Sequence, residues 1–342
     1  MKTDKNFAAQ ARPEPRTGRR QFLQAAVAGA AMGMAGPFAH ASQKFPNGPV
    51  HLVVPFSAGG ATDILGRLIA KELEAEFGSS VVVDNRVGAA GAIGAQAVVR
   101  SAPDGHTILM GGVGTNIVLA LTQPALTYDP VADLMPAAYL CNVDYVLAVA
   151  ADSPFKTLED LLNEARKRPG QLSYMSTGPS GPLHVALEFL NKEAGTEMVH
   201  VPYKGEAPAY PDLITGRVDV ATMTVAFTKP RIEDGSLRAL ASISAQRSAA
   251  MPDVPTVAEQ GFEGYAVPIW NGLFVPAGTP PTVIDAIDKA ANAVMRKESI
   301  RNQMISLGVT PTGGSAAMYA DFLEVERARW KKMIEVTGVL KN

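Results

Sequence analysis

The chain has 342 residues, 47% of them apolar, with 31 basic and 33 acidic side chains for a net charge of −2. That balance argues against nucleic acid or an anionic membrane as a partner, and the length exceeds a usual single core, which predicts two lobes. The single cysteine, Cys141, cannot form an intrachain disulfide, and its apolar neighbours predict a buried small side chain.

Residues 1–41 read as a cleaved export signal. Six basic residues, among them the pair Arg19-Arg20 that opens a twin-arginine pattern, precede the weakly apolar stretch Ala25 to Gly36 and the small-x-small site Ala39-His40-Ala41. An apolar core of about a dozen residues is too short to span a bilayer. No cysteine lies near the cleavage site, so a lipid anchor is not expected. Without this leader the chain holds 25 basic against 31 acidic residues, a net −6.

From Val50 onward, short β-branched runs alternate with helical periodicity, the pattern of stacked βαβ units. Val50 to Val54 reads as a buried strand, Pro55 to Gly60 as a tight loop, and Ala61 to Phe77 as a helix closed by Gly78. A strand at Val81 to Val83, a helix from Ala90 to Arg100 and a strand at Thr107 to Met110 complete the first series. Ala137 to Ala150 gives two apolar runs with no helix between them, as at a crossing from one sheet to another.

The second series predicts helices at Thr157 to Lys167, Pro182 to Glu193 and Ala207 to Thr215. Its strands fall at Leu172 to Met175, Val199 to Val201, Val218 to Val225 and Leu237 to Ile243. Tyr265 to Val275 looks like the return crossing, with Tyr265 and Trp270 as hinge packing, and helices at Thr282 to Leu307 and Ser315 to Val336 should pack on the first lobe. The expected division is 42–142 with 266–342 as lobe one and 143–265 as lobe two.

Glycine-rich loops follow strands and precede helices at Ser57-Ala58-Gly59-Gly60, Gly88-Ala89-Ala90-Gly91, Gly111-Gly112-Val113-Gly114 and Gly178-Pro179-Ser180-Gly181. In open α/β sheets such loops meet at the carboxyl ends of strands, where helix N-termini offer N–H donors to an anion. Each charge-assisted bond contributes about 1.5–3 kcal/mol, so a few suffice for micromolar binding. A dinucleotide site is not indicated, because Gly88 to Gly94 spaces its glycines wrongly and no acid follows about 20 residues later. The phosphate loop motif, the G-x-S-x-G elbow and zinc-ligand spacing are all missing, so neither cofactor nor metal nor catalysis is expected.

Several stretches then resemble one family, the tripartite tricarboxylate transporter receptors, or Bug periplasmic binding proteins. They are Val54-Pro55-Phe56-Ser57-Ala58-Gly59-Gly60-Ala61-Thr62-Asp63, Asp84-Asn85-Arg86-Val87-Gly88, Ala102-Pro103-Asp104-Gly105, Ser176-Thr177-Gly178-Pro179-Ser180, Val201-Pro202-Tyr203-Lys204-Gly205 and Pro276-Ala277-Gly278-Thr279-Pro280. The resemblance implies a type II periplasmic-binding fold: two α/β lobes, a two-strand hinge and a ligand cleft between them. It implies capture of a small organic carboxylate by hinge closure and delivery to membrane permease subunits, with the receptor a monomer in the periplasm.

The same resemblance assigns Phe56, Ser57, Ala58, Gly59, Gly60 and Asp63 to the ligand carboxylate. It gives Ala90, Gly91, Thr115, Thr177, Gly178 and Ser180 to the cleft walls, with Tyr203 and Lys204 reaching from lobe two. Where many members carry Asp or Asn after the strand near 220, this chain has Thr222-Met223-Thr224, which favours a plain or aromatic carboxylate over an amino acid. A sensor presenting its closed form to a membrane kinase stays open as an alternative, and an exported hydrolase has no triad motif to support it.

Overall fold

A strand that is apolar on both faces must be covered on both, and Val50–Val54 (β1) sits inside its sheet with four of five residues buried. A computed structural model describes residues 45–123 and 125–339; the export signal expected over 1–41 lies outside the described residues. β1 pairs in parallel with Val81–Asn85 (β2) and Thr107–Gly112 (β3). Ala61–Phe77 (α1) and Ala92–Val99 (α2) make the crossovers. α1 ends as its sequence predicts, on Gly78 in the left-handed region, whose N–H donates to the Glu74 carbonyl at 2.9 Å.

After β3 the chain turns through a π-type segment, Gly114–Val118, into the short helix Leu119–Thr122 (α3). Leu134–Val143 (β4) joins the first sheet, and its partners Ile269–Pro276 (β10) and Val309–Pro311 (β11) run antiparallel to it. The order is β11-β4-β10-β3-β1-β2. One residue past β4, Tyr145–Ala150 (β5) opens a second sheet. That sheet takes in Ser173–Ser176 (β6), Val199–Pro202 (β7), Val220–Thr224 (β8) and Leu237–Ser242 (β9), in the order β7-β6-β8-β5-β9. Its helices are Leu158–Lys167 (α4), Pro182–Ala194 (α5), Glu206–Ile214 (α6) and Val225–Glu233 (α7).

Two elements differ from expectation. α7 occupies a stretch with no helical reading, because Pro230 stands inside it; Thr224 caps it by accepting the Phe227 N–H. The single helix expected over 282–307 is two, Pro281–Arg296 (α8) and Glu298–Ser306 (α9). They part at Lys297, whose backbone is extended while its ammonium bridges Glu72 and Glu76 of α1 at 3.0 and 2.8 Å. The last helix, Ala316–Thr337 (α10), packs on β4 of the first sheet and also on α5 of the second. One cluster of buried side chains accordingly runs through both sheets, joining Val53 and Leu109 to Leu147, Tyr174 and Trp330.

The chain crosses between sheets at Asp144 and again over residues 243–268. Asp144 is buried, and its carboxylate accepts hydrogen bonds from Ser248 Oγ at 2.6 Å and Thr310 Oγ1 at 2.9 Å. Burial pushes this carboxyl up, and the two hydroxyl donors offset only part of the shift. Asp144→Ala should cost about 2 kcal/mol, since it strands two inward hydroxyls next to a cavity. Urea unfolding measures this, and a loss below ~0.5 kcal/mol would show that the carboxylate holds nothing at the crossing.

Candidate functional site

Every α-helix leaves its first N–H groups without helical partners, and Ser, Thr or Asp usually caps them. Here Thr157, Thr224 and Ser315 do so for α4, α7 and α10. Four helices are instead preceded by glycine with no side-chain cap: α1 by Gly60, α2 by Gly91, α5 by Gly181 and α6 by Gly205. α1, α5 and α6 begin on the wall of a single cavity of about 740 Å³ between the two sheets, a size usual for small-molecule sites, and Ala90, just before α2, lies on the same wall. Uncapped donors and helix dipoles thus face a common space, which suits an anion.

The backbone is bent to make this possible. Among the described residues only Ala89, Ala90 and Ser180 adopt positive φ without being glycine, and all three lie in loops at this cavity. Each such residue costs of order 1 kcal/mol or more, which the surrounding packing must hold. At Gly91, with φ of +97°, an added Cβ would fall 2.5 Å from the Thr115 methyl, so glycine is what lets two of the loops touch.

The cavity is lined by Phe56, Ser57, Gly60, Ala90, Thr115, Thr177, Gly178, Ser180 and Lys204, all named from the sequence. Ala58, Gly59, Asp63, Gly91 and Tyr203 are not on its wall. Asp63 is a correction of role. Its carboxylate is buried and turned back on the loop, accepting from the Gly59 N–H at 2.8 Å, Asn85 Nδ2 at 2.8 Å and Arg67 Nε at 3.0 Å. Burial pushes its carboxyl up, but the Arg67, Gly59 and Asn85 hydrogen bonds and the Arg67 charge outweigh that and bring it down to about 2. Tyr203 likewise points elsewhere, donating to Asp212 at 2.8 Å.

Thr115 reaches the wall with its hydroxyl already engaged, accepting the Gly112 N–H at 3.0 Å and lying 2.7 Å from Asn116 Oδ1. Lys204 is exposed, forms no ion pair among the described residues, and supplies a cation at the wall. The far walls are apolar, with Val118, Leu119, Val143 and Ile269 beside Trp270. Trp270 therefore does two things: it packs against Phe274, Tyr319 and Phe322 in the core and presents part of its surface to the cavity. Tyr265 stays with hinge packing, its hydroxyl donating to the Ala186 carbonyl at 2.9 Å.

Behind the loop 177–181 lies a polar cluster. His184 and His200 stack with ring centroids 3.8 Å apart. The Ser180 N–H donates to His184 Nδ1 at 2.9 Å, and Ser176 Oγ lies 2.6 Å from His200 Nε2. Burial and the neighbouring His184 push His200 down to about 4, and burial lowers His184 against the pull of Glu188.

Sequence reading missed Glu206, and it noted Thr224 only as standing where many members carry Asp or Asn. Glu206 opens α6 on the cavity wall and accepts from Thr224 twice, from its N–H at 2.7 Å and its Oγ1 at 2.9 Å. Among the described residues no group of His, Cys, Asp and Glu could hold a metal ion, and no helix is long and apolar enough to cross a membrane.

Residues 65–339 match the sequence profile described as tripartite tricarboxylate transporter family receptor. A UPF0065 protein from the tcbD–tcbE intergenic region of a Pseudomonas species is 37% identical over 320 residues, 93% of this chain and 94% of that protein. A solved Rhodopseudomonas palustris protein with adipate is 35% identical, with a TM-score of 0.79 over 86% of this chain and 98% of that one. The periplasmic binding protein BugD is 30% identical, with a TM-score of 0.75 over 86% of this chain and 99% of that one. With a profile match over most of its length and relatives of this similarity, the chain belongs to the tripartite tricarboxylate transporter receptor family, Bug-type receptors with two α/β lobes.

Proposed function

We propose that this receptor binds a small organic carboxylate between its two lobes, residues 45–142 with 266–339 on one side and 143–265 on the other. It acts as a monomer in the periplasm after twin-arginine export and hands its ligand to the membrane permease subunits of a tripartite tricarboxylate-type transporter. It carries out no reaction. The observation that supports this most is the meeting of three uncapped helix N-termini, those of α1, α5 and α6, with Lys204, which has no ion-pair partner among the described residues, around one cavity. Such a site stabilises a carboxylate through backbone donors without proton transfer, and contact from both lobes favours the closed state. The adipate held by the Rhodopseudomonas relative is a ligand of this chemistry.

A thermal-shift screen of aliphatic dicarboxylates, tricarboxylates and aromatic acids tests the reading. A true ligand at ~100 times its dissociation constant adds about 2.7 kcal/mol, a rise of roughly 5 °C for a chain of this size. No shift with any carboxylate, or turnover of a carboxylate ester by the purified protein, would overturn it.

A further inference from the structure

We propose that Glu206 is a specificity residue that reads a hydrogen-bond donor on the ligand, so that the preferred carboxylate also carries a hydroxyl or ammonium group. The inference rests on the carboxylate reading above and narrows it. Glu206 shares the cavity wall with Lys204, two residues earlier, so a cation and an acid of opposite demand face the same ligand. Among the described residues no cation pairs with the Glu206 carboxylate, and its hydrogen-bond partners are the Thr224 N–H and hydroxyl, at 2.7 and 2.9 Å. A carboxylate offers about four lone-pair directions, so two remain for something else.

The Thr224 hydroxyl is fixed in direction, because it also accepts the Phe227 N–H at 3.2 Å as the cap of α7. Its proton is thereby turned to Glu206, and the carboxylate is held in one orientation by a residue that itself lines the cavity. Burial raises the Glu206 carboxyl, with the Thr224 bonds and the Arg231 charge offsetting part of this. A half-buried acid with spare acceptors and no counter-ion costs free energy unless a donor arrives. A plain acid cannot supply one. A site built around such a group discriminates strongly against ligands that leave it unpaired.

The acid sought after β8 as a reader of amines is thus present in space, though it comes from the start of α6. A purely structural role, stitching α6 to β8 and complementing the helix dipole, would affect all ligands alike.

Titration calorimetry on the mature protein with three matched pairs separates the two roles: succinate with malate, adipate with 2-aminoadipate, and benzoate with 3-hydroxybenzoate. In the pair that binds, the donor-bearing acid should be at least tenfold tighter, and Glu206→Gln and Glu206→Ala should both cut that preference to threefold or less. Equal affinities within the pair, or a preference unchanged in whichever variant folds, would overturn the role of Glu206 while leaving carboxylate binding intact. Binding of none of the six acids would instead remove the carboxylate reading, and this inference with it.

Discussion

Asp63→Ala should lower the unfolding free energy by about 2 kcal/mol, the order expected when a buried carboxylate that accepts several hydrogen bonds is deleted and its charged partner is half exposed, and should weaken carboxylate binding at least tenfold. The side chain does not touch the cavity, so the binding loss is indirect. Gly59, Arg67 and Asn85 all donate to this one carboxylate, and Asn85 Nδ2 also donates to the Phe56 carbonyl at 3.0 Å. Removing it frees the Gly59 N–H and unties β2 from the loop that sets up the start of α1. The Gly59 N–H and the half-buried Asn85 amide lose their acceptor, while the half-exposed Arg67 guanidinium can turn to solvent, so the stability cost comes mainly from the first two.

The pH dependence carries a definite sign. Asp63 is held at about 2 in the folded chain, below its ordinary carboxylate value, so its contribution is complete above pH ~4 and fades as pH falls toward 2. Wild type and variant should therefore differ by a constant amount from pH 5 to 8 and converge in acid. Urea titrations at several pH values measure the difference, and calorimetry measures the affinity. A variant that is destabilised yet binds at full strength would show that loop 57–60 does not form the site.

How far the sequence reaches can be seen at particular residues. α1 and its Gly78 stop were legible because periodicity, cap and strand boundaries agree within one local segment. α7 was not, since Pro230 signals a break and the helix is held by contacts with β5, β8 and β9. β11 is three residues long and is a strand only by pairing with β4. The same division holds in the site. Glycines between strand and helix announce backbone donors, which are local, and most of the residues they marked do line the cavity.

Roles that depend on distant partners were lost. Asp63 resembles a ligand contact until Asn85, 22 residues on, is seen to claim it. Glu206 resembles a first-turn acid until Thr224, 18 residues on, turns it to a purpose. The one available signal was its position directly after Gly205, at a helix start that lacks a capping side chain.

Acidification should release ligand through the stacked histidines, with affinity falling as pH drops toward 4, where the His200 ring begins to take up a proton in the folded chain. As a neutral ring, His184 accepts the Ser180 N–H through Nδ1 and so holds a residue of the cavity wall in its strained, positive-φ conformation. A protonated ring carries a hydrogen on that nitrogen and cannot accept. Two imidazolium rings 3.8 Å apart also repel, and of the neighbouring groups only Glu188 favours the charge, while its carboxylate is already engaged by the Tyr174 hydroxyl.

The sign follows from the depressed values. Unfolded histidines titrate near 6.5, whereas His200 is pushed down to about 4, so the unfolded chain binds more protons in between and stability falls as pH drops through that window. Because both rings keep some contact with solvent, the expected loss is about 1–2 kcal/mol rather than the full shift. The double variant His184→Gln with His200→Asn keeps an acceptor for Ser180 without a titrating group. It should match wild-type affinity at pH 7.5 within threefold and retain only the pH dependence of the ligand's own carboxyl groups. If wild type and variant lose affinity in parallel on acidification, the histidine pair has no part in holding the loop, and its low basicity reflects burial alone.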